Sequence, residues 1–314
     1  MMPIECVFPV DWAAFFEAVA VGWLGYVMVA RSFVSLKAFG DLVIAVAVLE
    51  RLSGPGAGGV EILYGSHLSD LVSALEPRVA ARRIQLASTS VPAMYDVRKA
   101  GLPRALASLA EVRAALARSA PEQGVLVFDR NQARERIIAG RLAHRALPVA
   151  GNIYDAYDLA LREFGLEPGS VLSGTAYRGG TIGLFTASRV ARKDIPLELL
   201  EPLIARLNEA GAPSIIYLLE GERPDITASH LPHVVIPRTF GALIGAVREC
   251  SLVVSADSLP AHLAEREGLP VYVLSPASNE FWLPRSSFVH RNWGLFSDGT
   301  PDAIATKILG MRAA

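Results

Sequence analysis

Three places in this sequence set chemically useful side chains directly after an apolar, strand-like run. The first is Ser35-Leu36-Lys37-Ala38-Phe39-Gly40-Asp41, between VARSFV and LVIAVAVL. Gly40 permits close approach by a backbone or a ligand, and Asp41 stands at the start of a helix-like run over 42–53. A carboxylate there can cap the helix or take a proton from a substrate hydroxyl within hydrogen-bond reach. Ser35 and Lys37, in the same loop, could meet an anion or a sugar hydroxyl on the acceptor side of a site.

The second place is TASRVARKDIP, residues 186–196. Ser188, Arg189, Arg192 and Lys193 suit a phosphate, since lysine acts as a point charge and arginine binds in bidentate fashion. A solvated basic loop is the plain alternative. The third is Asp257-Ser258-Leu259-Pro260-Ala261-His262, after the run LVV. Pro260 suits a first helical turn, and backbone N–H groups there, with the Ser258 hydroxyl, would seat a diphosphate. His262 faces one side of that helix, as a structural residue or as one lining the site. Glu222, just after SIIYLLEG, is either part of a surface turn or an acceptor for ribose hydroxyls.

Other familiar devices are missing from the sequence. The string GPGAGG at 54–59 matches GxGxxG in letters but lies in a turn that leads into a strand, so it is no dinucleotide fingerprint, and there is no GxxxxGK[ST] loop, no HExxH and no GxSxG elbow. No histidine–cysteine cluster has zinc-ligand spacing, so neither a metal nor a resident cofactor is expected.

The elements that must position these residues follow an alternating rhythm. Strands are expected over 26–34 and 60–65 and in short apolar segments near 84–87 and 125–128. Helices are expected over 42–53, 67–76 and 105–119, the last from apolar positions recurring every three or four residues. The stretch 129–170 reads as helices bridging two halves. The rhythm then restarts, with strands at 181–187, 214–221, 233–237, 251–256 and 271–275 and helices at 196–210, 240–249 and 260–267. Strands separated by helices of this length imply an α/β protein with parallel, doubly wound sheets.

A length of 314 residues suggests two domains. The expected division is 1–160 and 161–314, with the last helix packing back on the N-terminal domain. A net charge of -1 gives no electrostatic case for nucleic acid. Cys6 and Cys250 show no disulfide framework, which fits a cytoplasmic protein. The opening MMPIECVFPVD lacks the basic region of a signal peptide. Residues 18–30 form an apolar run of thirteen, short of the roughly 20 needed to span a bilayer. A buried element is the plain reading. Trp12, Phe15, Phe16 and Trp23 leave open a peripheral contact with the inner face of the cytoplasmic membrane.

Taken in order, these segments resemble the ADP-heptose:lipopolysaccharide heptosyltransferase family, glycosyltransferase family 9. SLKAFGDLVIAVAVLERL is similar to the family's strand–Gly-Asp–helix opening, and ASRVARKDIP to its lysine-bearing loop. CSLVVSADSLPAHLAEREGLPVYVLSPAS, followed by Phe281-Trp282-Leu283-Pro284, resembles its donor-site run. The resemblance implies a GT-B fold, two Rossmann-like domains facing across a cleft. It also implies inverting, metal-independent sugar transfer from a nucleotide-diphosphate donor, an ADP-sugar first, to a hydroxyl of a glycan, lipopolysaccharide or other glycoconjugate. On that resemblance Asp41 is the base and Lys193, with the amides around Ser258-Leu259-Pro260, neutralises the departing diphosphate. Glu222 would bind the nucleoside, with Ser188, Asp257 and His262 completing the donor site, and Ser35, Lys37 and Gly40 would lie on the acceptor side. Two positions depart from the family pattern: Leu259 replaces a glycine, and Ser35 replaces a basic residue. They keep in play another nucleotide-sugar, a GT-B epimerase or hydrolase, and a silent sugar-nucleotide-binding protein.

Overall fold

The structure, a computed structural model, describes residues 30–52, 57–86, 94, 100–120, 124–130, 133–169, 180–297 and 299–311. The aromatic run containing Trp12, Phe15, Phe16 and Trp23 lies outside them. Two sheets, both parallel throughout, organise the described chain. In the first, β1 (Arg31–Ser35), β2 (Val60–Gly65), β3 (Ala80–Ile84), β4 (Val125–Phe128) and β5 (His144–Ala146) take the spatial order 3-2-1-4-5. The second comprises β6 (Ile182–Phe185), β7 (Ser214–Leu219), β8 (His233–Ile236), β9 (Leu252–Ala256), β10 (Val271–Ser275) and β11 (Trp293–Leu295), in the order 11-10-9-6-7-8. Counted from β6, this is the Rossmann order. In each sheet the chain reverses its direction of winding once, between β1 and β4 and between β6 and β9. Ligands of open parallel sheets bind beyond the strand ends at such points.

The connecting helices are α1 (Phe39–Leu49), α2 (Ser69–Leu75), α3 (Leu102–Ser119), α4 (Ala133–Ala139) and α5 (Ile153–Glu163) in the first part of the chain. After β6 come α6 (Leu197–Glu209), α7 (Pro224–Thr227), α8 (Phe240–Glu249), α9 (Leu259–Arg266), α10 (Arg285–His290) and α11 (Pro301–Leu309). Helix α1 is apolar on every side, and Leu42–Val46, Val48 and Leu49 are all buried. Its β-branched residues disfavour an isolated helix, but tertiary burial decides in a protein, and each buried Leu, Val or Ile contributes about 1.5–3 kcal/mol. That burial comes from two sides: α1 packs on β1 and β2 and also on α9, which belongs to the other sheet. Helices α2 and α8 meet in the same way, so one core containing Phe33, Ile44, Val253 and Leu263 runs between the sheets. Separate cores cover their outer faces.

Several details differ from the sequence reading. Helix α1 starts at Phe39, earlier than 42, because Gly40 is accommodated inside its first turn. The bridging stretch also contains β5, whose three residues are too few and too polar to show a period. Helix α5 runs unbroken to Glu163, so a division at residue 160 would cut through it. Helix α11 does not pack back on the first sheet. It lies along α6, with Ile304, Ala305 and Ile308 in the outer core of the second.

Candidate active site

The ends of β1, β4, β6 and β9 open onto one cleft of about 660 Å3. From the first sheet it receives Gly40 and Asp41 after β1 and Arg130 after β4. From the second it receives Ser188, Arg189 and Lys193 after β6, Glu222 after β7, and Asp257 through Pro260 with His262 after β9. Thus Gly40, Asp41 and the whole expected donor set meet, although they lie more than 200 residues apart at the extremes.

Asp41 is the third residue of α1, and the helix makes no side-chain cap with its preceding residue, Ala38. The capping role therefore falls away. One side of Asp41 reaches the cleft, while Oδ2 is sealed from solvent without a hydrogen-bond partner. Burial, followed by the nearby negative charge of Asp129, pushes the carboxyl up to about 6, against the pull of Lys37, Arg130 and Arg189. Burial, followed by Arg130, pushes the Lys37 ammonium down. A carboxylate with raised proton affinity in a cleft suits a general base near neutral pH. Gly40 lies against His262 of the second half of the molecule. A Cβ there would lie 3.4 Å from His262 Cδ2, an ordinary contact.

On the opposite wall, a single 3-10 turn, Ala191–Lys193, aims Lys193 at the end of β9. Its Nζ donates to Asp257 Oδ2 at 2.6 Å, and Asn279 Nδ2 donates to the same oxygen at 3.2 Å. Asp194 fastens the loop by accepting from the Ser188 backbone N–H at 2.7 Å. Helix α9 begins at Leu259 after Ser258, without a side-chain cap. The Ser258 hydroxyl donates instead to the Ala187 carbonyl at 3.4 Å, tying the two loops together. Pro260 carries no N–H and Ala261 N–H is bonded to Ser258 O, so the anion-facing amides are fewer than the sequence suggests. Leu259 packs against the inner core while also lining the cleft.

His262 is 6% exposed and shares a 3.1 Å hydrogen bond between Nδ1 and the hydroxyl of Tyr154 on α5. Burial pushes its imidazole down to about 4, with Asp257 opposing and Lys193 assisting. It is therefore neutral at physiological pH, at once a wall of the cleft and a tie between halves. Glu222 accepts from the Leu219 backbone N–H at 3.1 Å and lies 3.8 Å from Arg238. Behind it, Phe185 and Tyr217 stack with centroids 5.3 Å apart, beside Leu219 and Ile236. That apolar slot with a polar rim has the shape and polarity of a seat for a flat ring.

Ser35 and Lys37 do not line this cleft. Ser35 is the buried last residue of β1, 4% exposed, and both border a small enclosed space behind Asp41. Ser35 therefore does not reach an acceptor from this position. The sequence reading passed over Asp129, Arg130, Arg238 and Asn279. Arg130 stacks over the Trp282 ring at 4.8 Å, joining the two sides of the cleft, as does the Phe39–Phe240 pair at 4.9 Å. Asp129-Arg130 follows an apolar strand just as Asp41 does, and that signal was available. Among the described residues no group of three or more His, Cys, Asp or Glu is placed to hold a metal ion.

Neither a protein-family model nor a curated protein matches the sequence. Solved structures do match in fold. The glycosyl transferase family 9 protein of Veillonella parvula has a TM-score of 0.61 at 13% identity, over 90% of this chain and 97% of that one. E. coli heptosyltransferase WaaC, solved with ADP-2-deoxy-2-fluoro heptose, has a TM-score of 0.61 at 15% identity, over 90% and 99%. E. coli ADP-heptose LPS heptosyltransferase II gives 0.51 at 12%, over 90% and 98%. The chain has the GT-B fold. In GT-B terms the cleft between its sheets is the interdomain cleft. Asp41 belongs to the N-terminal wall, and Lys193, Glu222 and Asp257 to the C-terminal one. Among the described residues no helix is long and apolar enough to cross a membrane.

Proposed function

We propose that this protein is an inverting, metal-independent glycosyltransferase that moves a sugar from a nucleoside diphosphate to an acceptor hydroxyl. The observation that carries this reading is the facing of Asp41, which holds a proton more tightly than an ordinary aspartate, and the Lys193–Asp257 pair across one cleft. On this reading the base stacks beside Phe185 and Tyr217, and Glu222 accepts from ribose hydroxyls. Lys193 exchanges part of its contact with Asp257 for the diphosphate, while Asn279 keeps Asp257 partnered. The acceptor oxygen forms its bond to the anomeric carbon as the bond to the diphosphate oxygen breaks. The hydroxyl proton goes to Asp41, and the charge on the leaving group is met by Lys193, with Arg189 on the same loop.

An ADP-sugar, heptose or a relative, is the donor we favour, and a glycan or glycolipid the acceptor. The similarity in fold to heptosyltransferases and the apolar ring slot support that choice. A cytoplasmic setting belongs to the same reading and rests on the cysteine pattern. A thermal-shift series with ADP-, UDP-, GDP-, CMP- and dTDP-sugars tests the donor. A ligand that binds the native state at about 100 times its Kd adds about 2.7 kcal/mol of stability. ADP-sugars should raise Tm most, and Lys193→Ala should remove most of that shift. Silence across the series would contradict a working donor site.

A further inference from the structure

Behind Asp41, away from the cleft, lies a second space of about 10 Å3, room for about one water molecule. Its polar lining is Ser35, Lys37, Asp41, Asp129, Glu135 and Tyr157. Asp41 alone borders both this space and the cleft. Ser35 and Glu135 are 4% and 3% exposed, and Ser35 Oγ, Asp41 Oδ2 and Glu135 Oε2 are all sealed from solvent without a hydrogen-bond partner. The other Glu135 oxygen, Oε1, is met by Arg134 at 2.8 and 3.1 Å. Two ionised carboxylate oxygens only accept, and one hydroxyl supplies a single proton, so the three cannot satisfy one another. A water can donate to both carboxylates and accept from the serine.

We propose that this space seats one water, held by Ser35 Oγ, Asp41 Oδ2 and Glu135 Oε2, and that this water and Glu135 orient the Asp41 carboxylate and adjust a basicity that burial and Asp129 chiefly set. The proposal rests on Asp41 as the base and makes Ser35 and Glu135 positioning residues. The two influences have opposite signs. A hydrogen bond donated by the water favours the Asp41 anion, whereas the negative charge of Glu135 beyond it disfavours that anion. The other groups acting on Asp41 are Lys37 on its own loop, Asp129 and Arg130 after β4, Tyr157 on α5 and Arg189 after β6, while Arg134 on α4 acts on Lys37 and Asp129. None of these is altered by the variants below.

The test is the titration of the Asp41 carboxyl carbon by NMR in the full chain, without donor or acceptor. Glu135→Gln keeps the shape and removes the charge, so the midpoint should fall by about a few tenths of a unit. Ser35→Val fills the space with methyl groups and expels the water, so the midpoint should rise. Unmoved midpoints, or shifts of the same sign, overturn the proposal. A high-resolution crystal structure of the unaltered protein reads the same point independently of any variant's folding. A water bonded to the three oxygens supports the proposal, and a dry or collapsed space overturns it. Because neither measurement involves turnover, the two readings fail separately. Opposite shifts together with full activity in Asp41→Asn would sink only the base assignment.

Discussion

Asp41 works against the stability of the fold that holds it. Its carboxyl is raised from 3.8 to about 6, chiefly by burial. Between those values the native state binds more protons than the unfolded chain, so stability falls as pH rises through that window. Above pH 6 the cost of the buried charge is fully present, on the order of 2–3 kcal/mol. Asp41→Asn should therefore raise Tm at pH 8, and the gain should shrink towards zero near pH 4. Thermal melts of both proteins at the two pH values check this, and an unchanged Tm at pH 8 would contradict the burial account. The cleft's own residues were legible because parallel sheets put their C-terminal strand ends in one place, where apolar runs give way to polar ones. Ser35 was misread because both faces of β1 are covered, so its last residue is still buried where the loop begins. Arg130 was passed over because it opens an arginine-rich stretch that looks like a solvated helix face.

The elements that make the cleft are held by charges buried between them. Arg266 at the end of α9 meets both oxygens of Glu50 after α1, each at 3.0 Å, and donates to the Leu75 carbonyl at 2.8 Å. Both side chains are about nine-tenths buried. On the other side of α1, Asp158 of α5 takes Arg51 at 2.7 Å and Arg285 at 2.6 Å. Removing one member of a buried pair strands the other, which costs about 3–5 kcal/mol. Arg266→Ala should therefore lower unfolding stability by that order, whereas Arg206→Ala, which breaks an exposed, solvent-screened pair with Asp302, should cost far less. Denaturant unfolding of the two variants distinguishes them, and equal losses would refute the clamp. Most elements were visible as periodicity, but this clamp was not. Glu50 and Arg266 lie 216 positions apart, and nothing local marks either as a partner. The three-residue strands β5 and β11 are too short to carry a pattern and exist because a longer neighbour offers them an edge.

At the scale of the molecule, two parallel sheets of the same winding face each other so that both switch points open on one space. The repeated strand–helix rhythm made two such halves readable. Which strand lies beside which was not readable, because pairing depends on crossovers that leave no local mark. The arrangement makes a division of labour: the first half supplies a carboxylate that gains and loses a proton near pH 6, and the second supplies the cationic loop and ring slot. The most direct test of that division is to compare the unaltered protein and Asp41→Asn for both turnover and donor binding, with the best donor from the thermal-shift series. Transfer should fall by roughly 100- to 10,000-fold while donor Kd stays within a few-fold. The unaltered enzyme's kcat/KM should drop as pH falls through about 6. Turnover retained in Asp41→Asn would contradict the account.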